Sequence, residues 1–125
     1  MSAERVSLVL IPRYTTLAGA SGTSLEFTTA PMDVTPYSSA IVTTWRGKLL
    51  GSTSPSFKAW FEVSTDQVTW TLCGGSPLGW DPGENTQVPL LMELTKRWFR
   101  MRILFGGADN LVTCWSVGFL ERRLP

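Results

Sequence analysis

Histidine is absent from all 125 residues of this chain. That removes Ser-His-Asp and Cys-His catalysis, and any histidine-ligated zinc, heme or copper site. Cysteine is scarce. Cys73 and Cys114 are the only two, too few for the disulfide framework of a small secreted domain, and they form no CxxC. Both lie in apolar, strand-like surroundings and read as reduced small hydrophobes. Charge is thin, at 17% of residues with a formal net charge of +1, against about 25% in an ordinary globular chain. Such a balance gives a phosphate backbone little to hold, so no nucleic-acid partner is expected. No apolar run approaches the roughly 20 residues of a membrane-spanning helix, so no membrane partner is expected either. The stretch Val6–Ile11 follows an acid, is too short for a signal-peptide core and precedes no small-residue cleavage site. The expectation is synthesis in the cytoplasm.

Helix signals are missing too. No window sustains an apolar i, i+3, i+4, i+7 pattern free of Gly, Pro and β-branched runs. Instead 11 glycines and 8 prolines cut the chain into pieces of strand length. Strands are expected at Val6–Ile11, Tyr14–Leu17, Leu25–Thr29, Met32–Thr35, Ala40–Arg46, Phe57–Ser64, Val68–Cys73, Thr86–Glu93, Arg97–Phe105 and Leu111–Glu121. The fold class expected is all-β, an antiparallel β-sandwich of jelly-roll type. Residues 1–30 read as an N-terminal strand or arm with a connector at Ala18–Ser24, and residues 31–125 as the sandwich, within one domain.

Period-two alternation says which residues face the core. Ala59, Phe61 and Val63 alternate with Lys58, Trp60 and Glu62. Phe99, Met101, Ile103 and Phe105 alternate with Trp98, Arg100, Arg102 and Leu104. The strand Leu111–Glu121 is apolar on both faces, so it is central or has its outer face covered. Trp70 and Trp115 fit core positions. Trp60 and Trp98 fall on outer faces beside Arg100 and Arg102, as interface anchors, as cation–π cover of a sheet, or as stacking platforms for glycan or single-stranded nucleic acid. Charge is segregated: residues 60–93 hold five acids and no base, and residues 94–125 hold six bases and two acids. Pairing of these segments would cancel the charges across strands, and separation would leave patches for head-to-tail docking of copies.

The most specific local signal is the hairpin Phe61–Trp70, where Ser64, Asp66 and Trp70 form S-x-D-x-x-x-W. Asp66 is placed to bind backbone N–H groups two residues on. With the later strand Arg97-Trp98-Phe99-Arg100 and the upstream Pro31–Thr35, Tyr37 and Ala40–Trp45, this order resembles the galactose-binding-like (discoidin, or factor 5/8 type C) jelly roll. The resemblance spans Pro31 to Glu121. It implies the fold and carries no sugar-binding residue onto this chain. Where that family often has Gly after the turn Asp, this chain has Gln67, and its cysteines are not at the ends. The same hairpin, the short Asp33–Thr35 strand leading to Tyr37 and the basic strand also resemble small jelly-roll proteins of bacteriophage virions.

Residues able to do chemistry are few. Trp80, Asp81 and Glu84 lie in the loop 79–84, where a tryptophan could stack a sugar ring and two acids bond its hydroxyls. The same loop also reads as a Pro-Gly turn with solvated acids. Gly74-Gly75 and Gly106-Gly107 read as turns and match no phosphate-binding loop. No catalytic residue, metal site or cofactor is expected, and the protein is not expected to be an enzyme. Leu8 and Leu10, in an arm that could add a strand to a neighbouring subunit, join Trp60, Trp98, Arg100 and Arg102 as interface candidates. The function expected is a structural interaction module of a large assembly. A bacteriophage virion protein of head-decoration or capsid-stabilising type is the leading form, binding copies of itself and other capsid proteins. The rival is a carbohydrate-binding module using Trp80, Asp81 and Glu84.

Overall fold

The computed structural model describes residues 5–19, 25–51, 53–108 and 110–122. The described residues form nine strands and no helix: β1 (Arg5–Ala18), β2 (Leu25–Thr28), β3 (Met32–Asp33), β4 (Tyr37–Arg46), β5 (Thr53–Ser64), β6 (Thr71–Leu72), β7 (Thr86–Glu93), β8 (Trp98–Ala108) and β9 (Leu111–Arg122). Sheet A has the order β1-β9-β4-β7. Sheet B has the order β2-β8-β5-β6, with β3 also on β8. Every ladder between these strands is antiparallel. The pairs nest, with β1 on β9, β2 on β8, β4 on β7 and β5 on β6. The chain is thus one long antiparallel ribbon folded over, the β-sandwich its many short apolar strands require.

Alternation fixes the core. Phe99, Met101, Ile103 and Phe105 of β8 are fully buried, as are Ala59 and Phe61 of β5. Phe61 stacks on Phe99 with centroids 5.9 Å apart, and Phe57 tilts against Phe105 at 5.8 Å. Sheet A answers with Leu8, Val42, Met92 and Val112. Burying each of the larger side chains contributes about 1.5–3 kcal/mol, so this two-layer core holds the fold without cross-links. Cys73 and Cys114 are free and buried. Desolvation pushes their thiols up, with the Glu93 charge adding at Cys73, to about 12 for Cys73 and about 11 for Cys114.

Several details differ from the sequence pattern. Val6–Ile11 and Tyr14–Leu17 are one strand, β1, interrupted by register shifts at Val9/Ile11 and Ile11/Thr15. Pro12 has no N–H to give the ladder, and Tyr14 takes φ 59°. Together they make a bulge, closed by the Thr15 hydroxyl donating to the Pro12 carbonyl at 2.7 Å. β1 is an edge strand of the chain's own sheet, and of the connector only Ala18 and Gly19 are among the described residues. Leu8 and Leu10 are 1% and 9% exposed. As interface anchors they are therefore corrected: both serve this chain's own core, and Val9 takes the outward position. The expected strand Val68–Cys73 shrinks to Thr71–Leu72, because the hairpin bends through 65–69. Gly106-Gly107 is no turn but lies inside β8, where Gly106 lets the Ser56 hydroxyl approach.

Candidate interaction surfaces

The outer face of sheet B carries four of the candidate residues. The ladder sets Trp60 opposite Arg102, Glu62 opposite Arg100 and Ser64 opposite Trp98. Residues directly opposite share a face, so the expected outward placement of Trp60, Trp98, Arg100 and Arg102 holds. These side chains, however, engage one another. Arg100 Nε donates to Glu62 Oε1 at 2.9 Å, while Arg102 Nη1 lies 3.4 Å from Glu62 Oε2. The Trp60 indole N–H donates to the same Oε2 at 3.3 Å. Arg102 also pairs with Glu26, and Arg97 with Asp33 at 3.0 Å. Guanidinium groups cover three rings: Arg100 over Trp70 at 4.0 Å, Arg102 over Trp60 at 5.2 Å and Arg97 over Trp98 at 5.0 Å. Each stack is worth about 0.5–1 kcal/mol at such a surface.

Trp70 is thus corrected from core to outer face. Its ring lies under Arg100, and its N–H donates to the Gln67 carbonyl at 3.2 Å. The hairpin itself forms as the residues demand. Ser64 Oγ accepts from the N–H groups of Asp66 and Gln67, and Asp66 Oδ1 accepts from those of Val68 and Thr69, both at 2.9 Å. The backbone bonds from Thr69 and Val68, then the Ser64 hydroxyl, hold the Asp66 carboxyl below its ordinary 3.8.

Loop 79–84 links the two sheets, bridging β5 at Ala59 and β4 at Arg46. Trp80 exchanges two backbone hydrogen bonds with Ala59, at 2.7 and 2.9 Å, and packs half-buried against the core. Asp81 accepts from Arg46 Nε at 2.7 Å, from Arg46 Nη2 at 2.8 Å and from the Gly83 N–H at 2.9 Å. Burial pushes the Asp81 carboxyl up, but the Arg46 and Gly83 hydrogen bonds and the Arg46 charge outweigh it, and the net shift is downward. Glu84 is exposed, with its backbone bridged to Arg46. The loop brings the three candidate sugar-binding residues together in sequence, but the carboxylate of Asp81 is turned to Arg46.

The outer face of sheet A is the opposite in character. Register lays three rows across β1, β9, β4 and β7: Ser7–Phe119–Ile41–Leu91, then Val9–Val117–Thr43–Pro89, then Trp115–Trp45–Gln87 with no paired β1 residue. None of these eleven residues is ionisable. Leu91, Val9 and Phe119 are 64%, 54% and 46% exposed. Trp45 and Trp115 stack with centroids 6.1 Å apart. Arg13 sits 4.3 Å over Trp115 and Tyr14 meets Trp45 edge-on, both from the β1 bulge. That cover leaves Trp115 only 3% exposed, so its burial is as expected but on the outer side of the sheet. A groove of about 370 Å³ runs over Val117 and Gly118 between Val9, Ile41, Phe119 and Arg13.

No known protein family, curated protein or solved structure matches the chain.

The sheet A face was only half legible. The strand Leu111–Glu121 reads as apolar on both faces, which signals either a central place or an outer cover. It is central, between β1 and β4. That Ile41, Thr43 and Trp45 of β4 continue the same outer surface needs the β4–β9 register, which alternation within one strand does not supply.

Proposed function

We propose that the protein is a structural interaction module of a large assembly, packing against copies of itself through the outer face of sheet A. The observation that carries this reading is that face: eleven uncharged outward residues, with Phe119, Leu91 and Val9 substantially exposed. At strand spacing of about 4.8 Å and rows about 7 Å apart the face spans roughly 400 Å², its third row lying under Arg13 and Tyr14. Patches of this size on single domains are commonly binding surfaces. The assembly best suited is a bacteriophage virion, with the protein in a head-decoration or capsid-stabilising role beside other capsid proteins. The nested strand pairing supports the jelly-roll form of the sandwich, once the two-residue β3 is set aside as an accessory. The carbohydrate reading has less support, since Arg46 occupies the Asp81 carboxylate.

The test is mass spectrometry of particles banded on a density gradient from lysates of the organism carrying the gene. Presence of this chain at a fixed ratio to the main shell protein supports the reading. Absence from purified particles overturns it.

A further inference from the structure

The partner on sheet A has a defined geometry, and this inference rests on the assembly reading above. Beyond the three uncharged rows, a fourth row carries the charges: Arg5 on β1, Glu121 on β9, Ser39 on β4 and Glu93 on β7. Arg5 and Glu93 therefore stand at opposite edges of the sheet in the same row. Arg5 is 58% exposed and shares Glu121 at 3.2 Å. Glu93 is exposed and has no ion pair among the described residues. At the other end of the face Arg13 lies over Trp115.

We infer that two copies pack sheet A against sheet A about a two-fold axis parallel to the strands. Such an axis keeps each row level and reverses the strand order. It lays β1 over β7 and β9 over β4 of the second copy, an isologous contact. Arg5 then meets Glu93 of the second copy, twice. Phe119 lies over Ile41, Val117 over Thr43, and Ser7 over Leu91. The other face-to-face two-fold, perpendicular to the strands, sets the charged row over the bulge end. It would set the Arg5–Glu121 pair over Trp115 and its Arg13 cover and bring Glu93 to Gln87, leaving Glu93 without a cation, so it lacks the charge match of the first arrangement. Four rows by four strands cover roughly 500 Å² per copy and roughly 1,000 Å² in all, the lower limit for a specific association. The dimer is accordingly weak alone and is reinforced where copies are held side by side.

Sedimentation equilibrium and native mass spectrometry of the full chain test this. The expected result is a monomer–dimer equilibrium with Kd in the range of about 1–100 μM. Leu91→Glu and Phe119→Glu each weaken it at least about tenfold. Ser7→Lys combined with Leu91→Glu restores it to within about threefold of wild type, because the two positions face each other across the axis. Val68→Glu, at an 81% exposed site in the sheet B hairpin, leaves it unchanged. Circular dichroism confirms that each variant folds. A chain that stays monomeric at millimolar concentration overturns the inference. So does a dimer indifferent to Leu91→Glu and Phe119→Glu, one not rescued by the Ser7→Lys pairing, or one equally weakened by Val68→Glu. Incorporation into particles is measured separately, so a monomeric chain found in virions would end this geometry and the self-packing on sheet A, and leave only the role in an assembly standing.

Discussion

The guanidinium of Arg46 meets the carboxylate of Asp81 through two hydrogen bonds of 2.7 and 2.8 Å, one partner buried and the other wet. The Arg46 side chain is 9% exposed and that of Asp81 39%. Arg46 ends β4 on its core-facing row, 6.0 Å from the Phe57 ring, and also donates to the Gly47 carbonyl at 3.1 Å. A buried cation needs a counter-charge, and the loop 79–84 supplies it. The pair thereby holds the loop that carries Trp80 against the core and ties β4 of sheet A to a loop bridged to β5 of sheet B.

The asymmetry of burial sets the order of mutational effects. Asp81→Ala leaves a buried guanidinium without its anion and should destabilise by about 3 kcal/mol. Arg46→Met replaces the cation with an apolar chain of similar length, and the freed Asp81 hydrates at the surface. That variant should lose less than half as much. Urea unfolding of the two proteins gives the comparison. The reverse order would mean that the arginine is hydrated and the pair is an ordinary surface bridge.

Gln67 holds φ 65° at the turn of the S-x-D-x-x-x-W hairpin. The left-handed region costs a residue with Cβ about 1–2 kcal/mol, and glycine nothing. The Gln67 side chain makes no hydrogen bond among the described residues. Only its backbone is used, the N–H by Ser64 and the carbonyl by Trp70. Gln67→Gly should therefore stabilise the protein by about 0.5–1 kcal/mol after the added unfolded-state entropy is deducted. A higher urea midpoint with an unchanged slope is the expected reading, and a lower midpoint refutes it.

What the sequence made legible follows from the range of each signal. Alternation in β5 and β8 needs only neighbouring residues, and it placed Phe61, Phe99, Met101 and Ile103 in the core and Trp60, Trp98, Arg100 and Arg102 outside. The Asp66 turn is local and came out as the residues require. Trp70 was misplaced because a tryptophan on a return strand fills a core corner or lies under a cation, and only the position of Arg100 decides. Leu8 and Leu10 read as an arm because β1 and its partner β9 lie a hundred residues apart in sequence, and the pairing is invisible from either end. The bulge at Pro12–Tyr14 looked like a break between strands for the same reason. The Arg46–Asp81 pair joins a strand end to a distant loop, and charge counts over segments cannot find it.

Acid should destabilise the protein progressively below about pH 4. Asp33, Asp66 and Asp81 all have carboxyls held below the ordinary 3.8. For Asp33 the Thr35 hydroxyl and N–H are the main causes, with Arg97 behind them. A depressed carboxyl adds stability that is fully present above its unfolded value and disappears as pH falls through its folded value. The loss therefore begins near 3.8 and continues downward. With no histidine in the chain, no imidazole titrates between about pH 5 and 8. Thermal melts should give a midpoint that changes little across that interval and falls below about pH 4. Asp66→Asn should shrink the fall, and a midpoint that drops between pH 7 and 5 would contradict this account.

Gly118 sits at the centre of sheet A, paired with Leu8 on one side and Val42 on the other. A Cβ there would overlap the Ile41 carbonyl oxygen and lie 2.8 Å from its carbon and 2.9 Å from the Val42 Cα. All three are backbone atoms of β4, so no side chain can swing aside. Gly118→Ala must push β4 away from β9 and should cost about 3 kcal/mol. Gly74 provides the contrast. The three atoms nearest its added Cβ all belong to the Glu93 side chain, the closest at 3.4 Å, and its backbone φ is not positive. Gly74→Ala should change stability by no more than about 0.5 kcal/mol. The two alanines thus insert the same methyl group against rigid and yielding neighbours. Denaturant unfolding of both variants, with amide exchange on β4 and β9 in the first, separates a backbone clash from a general intolerance of glycine replacement. Equal losses at the two positions would show that β4 and β9 are not in the close register described.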